Sequence, residues 1–373
     1  MALWAVIIVA AALFVAYANG ANDNFKGVAT LFGSGATSYR KALWWATITT
    51  FGGSVAAFFL ATELMAVFRG NGLFPAHLSQ SQSFIAAVSL GAATTVILAT
   101  VAGIPISTTH SLTGALLGGG LVAMGFDLGW RTLLGSFFLP LLVSPCIAVS
   151  LAIVGYPLLK RAILATGLSG EKCLCVGGTP FAAAATASGL AVYQSTPRLR
   201  VIVDRQGVCA APQSGTLFGV SGARILNVGH FISAGAVGFA RGLNDTPKIV
   251  ALGLLASTVD LSWIVGLVAI VMAAGGLLHA SKVAETVSHR ITPMDPDQAF
   301  VANLVTSGLV LWASKWGVPV STTHVSCGAL FGIGVANGQA SWHVIRTILF
   351  AWLLTLPTAA ALAAGYYCLF KVI

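Results

Sequence analysis

Gly103-Ile-Pro-Ile-Ser-Thr-Thr-His110 is repeated in the second half of the chain as Gly317-Val-Pro-Val-Ser-Thr-Thr-His324, 214 residues further on. Closer to the start of each half, Asn22-Asp-Asn-Phe-Lys26 matches Asn244-Asp-Thr-Pro-Lys248. Segments that match in the same order in both halves indicate an internal duplication. The organisation of the whole chain follows from this duplication.

The composition indicates a membrane protein. Soluble domains carry roughly a quarter charged residues, whereas this chain of 373 residues has 8% charged and 57% apolar residues. So few polar residues cannot cover so much apolar surface in water, and several stretches reach the length of about 20 residues that a spanning helix needs. The first stretch, Ala2 to Ala18, lacks a basic start and a cleavage site, so we predict a retained membrane helix. Apolar segments fall at 2–18, 42–62, 83–104, 107–126, 132–158, 225–240, 247–280, 298–314, 319–336 and 344–370.

The two halves are predicted to be inverted relative to each other. Each half holds an odd number of predicted crossings, which would place the second half upside down in the bilayer. We therefore predict an all-α integral membrane protein with two inverted-topology repeats, discontinuous helices and about 10–12 membrane segments. Residues 107–126 fit either one span or a folded hairpin. The predicted units are a first repeat (1–158), a central loop (159–223) and a second repeat (224–373).

The central loop is predicted to be cytoplasmic, with both termini outside, because cytoplasmic loops carry an excess of Lys and Arg. A weak alternation at Leu199 to Val203 suggests a strand in a small β-rich insert. Cys173, Cys175 and Cys209 share this loop; reduced thiols are favoured over a metal site or redox sensor, but their role stays open. The basic residues of the loop are Lys160, Arg161, Lys172, Arg198, Arg200, Arg205 and Arg224, against Glu171 and Asp204.

The repeated Asn-Asp-x-x-Lys motif is the first candidate site. Ionisable residues in membrane segments are retained chiefly where they line a water-filled path or a binding site. Gly20 and Gly242 in the preceding turns are expected to let the helices break before Asp23 and Asp245. Carboxylate and amide oxygens there suit Na⁺ or H⁺, and the nearby lysines favour an anion. The alternative is a pair of helix ends at the membrane surface, with Asn and Asp as caps and Lys reaching the headgroups.

The repeated Pro-x-Ser-Thr-Thr-His motif is the second candidate site. A proline followed two residues later by a serine cap predicts a helix N-terminus, whose free amides attract anions. Ser107-Thr108-Thr109 and Ser321-Thr322-Thr323, called here the hydroxyl triplets, add uncharged donors that can replace the hydration shell of a tetrahedral oxyanion. Isolated Ser and Thr usually bond to their own helix instead. For His110 and His324, a structural hydrogen bond at the helix start is favoured over proton transfer.

Several other classes of function lack support in the sequence. The basic residues are scattered, so no nucleic-acid partner is expected. The chain contains no GxxxxGK[ST] loop for ATP, and no Gly-x-Ser-x-Gly or His-Glu-x-x-His motif for hydrolysis. We therefore predict that the protein is not an enzyme and that it needs no cofactor other than a coupling ion.

These motifs resemble those of the inorganic phosphate transporter (PiT) family of secondary carriers. Gly20-Ala-Asn-Asp23 is similar to the first signature of that family, and Gly242-Leu-Asn-Asp-Thr-Pro-Lys248 to the second. The paired Pro-x-Ser-Thr-Thr-His stretches look like its anion-binding segments. The resemblance covers essentially all of the chain except 159–223. It implies secondary active symport of inorganic phosphate with Na⁺ or H⁺ by alternating access, with a transport domain and a scaffold domain.

The resemblance also implies roles for individual residues. Asn22, Asp23, Asn244 and Asp245 would couple a cation, with Na⁺ as the metal in question, and close the site. The substrate contacts that the resemblance implies are Ser107, Thr108, Thr109, Ser321, Thr322 and Thr323. From the charge and position of the residues themselves, we add Lys26 and Lys248, with Asn22, Asp23, Asn244 and Asp245, to the predicted substrate site.

Lys26 departs from the small or amide residue that this family commonly has there. Our hypothesis is that its ammonium group occupies the place of a coupling cation, which makes transport less dependent on Na⁺ or shifts it towards H⁺.

Several alternatives remain open from sequence alone. Sulfate has the same shape as phosphate but no proton to donate to Asp23 or Asp245, which favours phosphate. A passive anion channel, a signalling or structural membrane protein and an intramembrane enzyme are the competing classes. The lipid bilayer is the one macroscopic partner that the sequence requires, and the oligomeric state stays open between a single chain and a homodimer.

Overall fold

The computed structural model describes residues 2–70, 72–166, 172–177, 182–185, 191–194, 200–205, 216–254 and 260–372. The first half consists of α1 (Ala2–Asp23), a 3₁₀ turn (Asn24–Gly27), α2 (Ala29–Gly33), α3 (Tyr39–Leu60), α4 (Thr62–Phe68), α5 (Ala76–Ser79), α6 (Gln82–Val101), α7 (Thr108–Met124), α8 (Trp130–Thr132), a π-helical turn (Leu133–Phe138) and α9 (Leu139–Thr166).

The second half repeats this order with fewer short helices. It consists of α10 (Gly222–Leu254), α11 (Leu261–His279), α12 (Ser281–Glu285), a π-helical turn (Thr286–Arg290), α13 (Pro296–Lys315), α14 (Thr322–Ala336) and α15 (Trp342–Val372).

A small β insert separates the halves. Its strands are β1 (Lys172–Gly177), β2 (Ala182–Ala185), β3 (Ala191–Gln194), β4 (Arg200–Arg205) and β5 (Thr216–Ser221). The antiparallel order is β4-β1-β5, with β2 and β3 forming a separate hairpin. The strand expected near Leu199 to Val203 is thus found as β4, whereas Leu199 itself and Cys209 lie outside the described residues.

Within the described ranges, six helices are long and apolar enough to cross a bilayer. They are Leu3–Gly27, Tyr39–Leu60, Gln82–Val101, Trp130–Ala162, Leu261–His279 and Trp342–Val372. Large apolar side chains point outward from them, as expected where lipid is the solvent: Trp44, Phe59, Leu98, Leu142, Ile270 and Leu353 are all more than half exposed.

The helices pack in a reciprocal pattern that relates the two halves. Helix α1 packs against α11 while its counterpart α10 packs against α3, and α1–α6 contacts are matched by α10–α13 contacts. Helix α7 lies along α15, and α14 lies along α9. Each half therefore packs helices against the other half, and the starts of α7 and α14 come together where His110 contacts His324. Residues 107–126 form one short helix, α7, rather than a hairpin.

Two predicted boundaries are wrong. Asp245 does not end a helix, because α10 runs from Gly222 through Pro247 to Leu254. The predicted segment 247–280 is divided, since α11 begins only after Asp260, whose carboxylate caps it. A hydropathy profile predicts a break in the helix at residues 241–248 because they are polar. Polar residues can nevertheless continue a helix when side chains and backbone groups of other helices form hydrogen bonds with them.

Gly20 and Gly242 are contact points and do not break their helices. A Cβ atom built on Gly20 would lie 1.9 Å from the carbonyl oxygen of Met272 on α11. A Cβ atom on Gly242 would lie 2.1 Å from the carbonyl oxygen of Thr50 on α3. Glycine is needed at both positions because it lets two helix backbones approach closely. The expected helix break at these glycines is therefore wrong.

Candidate functional site

The hydroxyl triplets start α7 and α14 as the sequence predicts. The Oγ atom of Ser107 accepts a hydrogen bond from the amide of His110 at 3.0 Å, and that of Ser321 accepts one from the amide of His324 at 3.1 Å. Both serines have extended backbones, as N-caps do. Each cap leaves the positive end of a helix dipole directed at the loop before it. The predicted pair of helix N-termini is present.

The two triplets meet in the interior. The Thr323 hydroxyl donates to the carbonyl oxygen of Ile106 at 2.9 Å, and the Thr109 hydroxyl donates to the carbonyl oxygen of Val320 at 3.3 Å. Each helix start thus reaches the loop that precedes the other one. All six triplet residues are buried, so they do not face lipid.

Lys26 lies between the halves. Its Nζ atom donates to Asn22 Oδ1 at 2.8 Å, to Ile106 O at 2.9 Å and to Thr323 Oγ1 at 2.7 Å. It also pairs with the Asp23 carboxylate. The 3₁₀ turn that follows α1 brings Lys26 back over Asp23, because three residues make one such turn.

Lys248 occupies the matching position in the second half. Its Nζ atom donates to Thr109 Oγ1 at 2.7 Å, to Val320 O at 2.9 Å and to Asp245 Oδ1 at 3.4 Å. Each lysine therefore contacts its own carboxylate, one loop carbonyl and one hydroxyl from the other half. Lysines at a membrane surface would point to the headgroups, so the surface alternative does not describe these two.

The two asparagines fix the loops beneath the site. Asn22 donates to Thr100 Oγ1 at 2.9 Å and to Ile104 O at 3.1 Å, and its Oδ1 accepts from the Ile106 amide. Asn244 donates to Val320 O at 3.2 Å, and its Oδ1 accepts from the Ser314 hydroxyl at 3.2 Å. These bonds position the loop before each triplet.

One pair of residues breaks the symmetry. Arg241 corresponds in the duplication to Asn19, three residues before each Asn-Asp pair. The Arg241 guanidinium donates to Asn19 Oδ1 at 2.6 Å and lies 3.7 Å from Asp245 Oδ2. Asn19 in turn donates to Asp23 Oδ2 at 2.9 Å and Asp245 Oδ2 at 3.1 Å. Sequence reasoning missed Asn19, although its alignment with Arg241 was visible.

The two histidines, each directly after its triplet, join the halves. His110 Nδ1 lies 3.0 Å from His324 Nε2, and the His324 ring stacks on Trp352 with centroids 3.9 Å apart. Trp352 Nε1 donates to Pro105 O at 3.1 Å. The histidines therefore bond to each other and do not simply hold their own helix starts, a contact that separate motifs in the sequence could not reveal.

All twelve predicted site residues are buried: Asn22, Asp23, Lys26, Ser107, Thr108, Thr109, Asn244, Asp245, Lys248, Ser321, Thr322 and Thr323. The site holds two carboxylates and three cationic side chains, which leaves one positive charge. Among the described residues, no group of three or more His, Cys, Asp and Glu side chains could hold a metal ion.

A buried polar centre inside a bundle of apolar helices is the arrangement of a membrane transporter. A match to the phosphate transporter family covers residues 19–363. The chain belongs to this family, the PiT family, and is a phosphate permease rather than an enzyme.

Three comparisons show the range of similarity. A "Probable low-affinity inorganic phosphate transporter" of Rhizobium meliloti is 29% identical over 96% of this chain and 94% of its own length. The "Inorganic phosphate transporter 2-1, chloroplastic" of Arabidopsis thaliana is 26% identical over 96% of this chain and 71% of its length. A solved structure named "The sodium-dependent phosphate transporter" covers both chains fully, with a TM-score of 0.76 and 22% identity. At that identity the solved structure shows the fold alone.

Proposed function

We propose that the protein carries inorganic phosphate through the bilayer as a cation-coupled symporter that works by alternating access. One observation supports this proposal above all. Two capped helix N-termini come together, and their hydroxyl triplets are buried and form hydrogen bonds across the two halves. Amides and hydroxyls are the donors that a dehydrated tetrahedral anion requires. The single surplus positive charge of the site attracts that anion.

Each group of site residues has a proposed role. The triplets Ser107-Thr108-Thr109 and Ser321-Thr322-Thr323 bind the phosphate oxygens. Lys26 and Lys248 bring positive charge next to them, while Asp23 and Asp245 accept the hydrogen bond of a protonated phosphate oxygen. Asn22 and Asn244 hold the two loops in place. A coupling cation, Na⁺ or H⁺, completes the transported set.

The architecture of the proposal is a pair of inverted repeats of about 10–12 membrane segments in all. The repeats span 1–158 and 224–373, joined by a cytoplasmic unit at 159–223, with both termini outside. The reciprocal packing of α1 on α11 and of α10 on α3 supports this arrangement. Alternating access would then be a movement of one group of helices against the other, around the site at the starts of α7 and α14.

Phosphate is proposed over sulfate for a chemical reason. Two carboxylates lie within the site, and a carboxylate accepts hydrogen bonds but donates none when ionised. Phosphate offers a hydroxyl to such an acceptor near neutral pH, whereas sulfate offers none. A sulfate symporter is the alternative within the family, and a passive anion channel is the alternative outside it.

The test is uptake of labelled phosphate by the purified full chain in proteoliposomes. Thr109→Val and Thr323→Val remove one donor from each triplet while keeping the side-chain shape. The matched control is Thr355→Val, because among the described residues the buried Thr355 hydroxyl bonds only within its own helix, to Ala351 O at 2.7 Å. We expect saturable uptake that both triplet variants reduce and the control keeps. Flux that does not saturate and follows no cation gradient would support the channel instead.

A further inference from the structure

The ammonium group of Lys26 lies inside a set of oxygen atoms of the kind that binds Na⁺. Four oxygens surround it: one carboxylate, one amide, one backbone carbonyl and one hydroxyl, from Asp23, Asn22, Ile106 and Thr323. Hard oxygen ligands of these four types are those that small hard cations prefer. We call this set the first cage.

A second cage lies at the matching position. Lys248 Nζ contacts the carboxylate of Asp245, the carbonyl oxygen of Val320 and the hydroxyl of Thr109. The two cages use corresponding residues, since Ile106 and Val320 precede the triplets at the same position. A feature that recurs in both halves is a property of the duplicated unit and not an accident of one side-chain rotamer.

A coupling Na⁺ at the predicted residues does not fit while these lysines are present. Asn22 and Asp23 in one half, and Asp245 in the other, already give their oxygens to an ammonium nitrogen at contact distance. Two like charges in one small buried cage repel strongly because the surroundings screen them poorly. A solved structure of similar fold is named for sodium dependence, so the response of uptake to Na⁺ is the property that a test must measure.

The charge balance of the site does not depend on where its protons sit. Each lysine–aspartate pair is neutral overall, whether it exists as an ion pair or as two uncharged groups. Arg241, which is 1% exposed, adds one positive charge. One monovalent anion therefore makes the loaded site neutral without any added metal ion, whereas a divalent anion leaves an excess negative charge that is costly inside a membrane protein.

We propose, on the basis of the phosphate transport set out above, that Lys26 and Lys248 act as built-in cations. The protein then loads dihydrogen phosphate, H₂PO₄⁻, without Na⁺, and the proton carried on the phosphate is the coupled ion. The balance is simple: HPO₄²⁻ and H⁺ combine outside the site to give H₂PO₄⁻, which crosses as one anion. The substrate class is a monovalent tetrahedral oxyanion, so sulfate, a dianion at neutral pH, is discriminated against.

Groups near the first cage also carry charge or titrate. Asp23 lies on α1 beside Lys26, Arg241 faces it from α10, and Cys327 and His324 face it from α14. The test therefore separates the effect of these groups from that of the substrate. It compares uptake at two external pH values with the concentration of H₂PO₄⁻ held equal.

The experiment measures initial uptake of labelled phosphate into proteoliposomes in Na⁺, K⁺ and choline media. We expect the unchanged protein to take up phosphate at the same rate in all three media. At the two pH values, equal concentrations of H₂PO₄⁻ should give equal rates. Added sulfate should not inhibit uptake. Lys26→Asn vacates the first cage, so Na⁺ should now stimulate uptake, by roughly 5- to 150-fold as is usual for coupled ligands. Lys315→Asn, at an exposed lysine, is the control and should stay independent of Na⁺.

Each outcome decides a separate point. Uptake by the unchanged protein that requires Na⁺ overturns the built-in cation and leaves phosphate transport intact. Rates that follow HPO₄²⁻ overturn the assigned substrate form. If no medium supports saturable uptake of phosphate, the proposed function itself is wrong. A folded Lys26→Asn protein without Na⁺ stimulation overturns the cage; if that variant does not fold, the media comparison on the unchanged protein decides alone.

Discussion

Gly242→Ala is expected to displace α10 and with it half of the binding site. The added Cβ atom would lie 2.1 Å from the carbonyl oxygen of Thr50 and 2.7 Å from the amide nitrogen of Ser54. Both are backbone atoms of α3 and cannot rotate away. Ordinary contact needs about 3.4 Å or more, so the two helices must separate by about 1 Å. Overpacking of this kind costs about 1–3 kcal/mol.

The functional effect should exceed the loss of stability. Helix α10 carries Arg241, Asn244, Asp245 and Lys248, whose hydrogen bonds reach α1, the loop before α14 and the start of α7. A misplacement of 1 Å at a working site costs about 100-fold in rate. We therefore expect phosphate uptake to fall by about that factor, with a lower Tm in detergent.

Gly308→Ala is the matched control. Among the described residues, nothing lies within 4 Å of a Cβ atom built on Gly308, which is in the middle of α13. Alanine there should raise stability by up to about 1 kcal/mol, because glycine is a poor helix former. A Gly242→Ala protein with the uptake rate and Tm of the unchanged chain would refute the close approach of α3 and α10.

Three further predictions concern single groups. Asp245→Asn leaves Lys248 and Arg241 without their carboxylate and should cost about 3–5 kcal/mol, seen as a large fall in Tm; Asp260→Asn, at an exposed cap, should change it little. Ser321→Ala removes the cap of α14 and should cost about 1 kcal/mol, and an unchanged Tm would contradict the observed cap. Phosphate at 100 times its Kd should stabilise the unchanged protein by about 2.7 kcal/mol, which is seen as a higher Tm. Thr323→Val should reduce this rise in Tm, and an equal rise in both proteins would argue against phosphate binding by the triplets.

The duplication made much of the site predictable. A motif that recurs with its spacing intact must serve the same purpose twice, so the proline, the serine cap and the hydroxyl run pointed to two helix starts. Burial of all twelve predicted residues agrees with that reasoning. Their roles in binding stay predictions.

The missed features depend on contacts between separate segments. The close approaches at Gly20 and Gly242 involve α11 and α3, which hydropathy treats as independent spans. Asn19 has no charge and stands inside an apolar helix, so composition gave it no weight. The polar stretch around Asp245 looked like an end because a window of hydropathy cannot see that Arg241 and Lys248 are satisfied by other helices.

The hydrogen bonds that each lysine makes to the other half determine whether the chain can be split into two working fragments. Lys26 relies on Thr323, and Lys248 relies on Thr109, so a fragment holding one copy of the duplication lacks a ligand for its own lysine. Coexpressed fragments cut within the central insert should restore activity together, whereas either one alone should be inert.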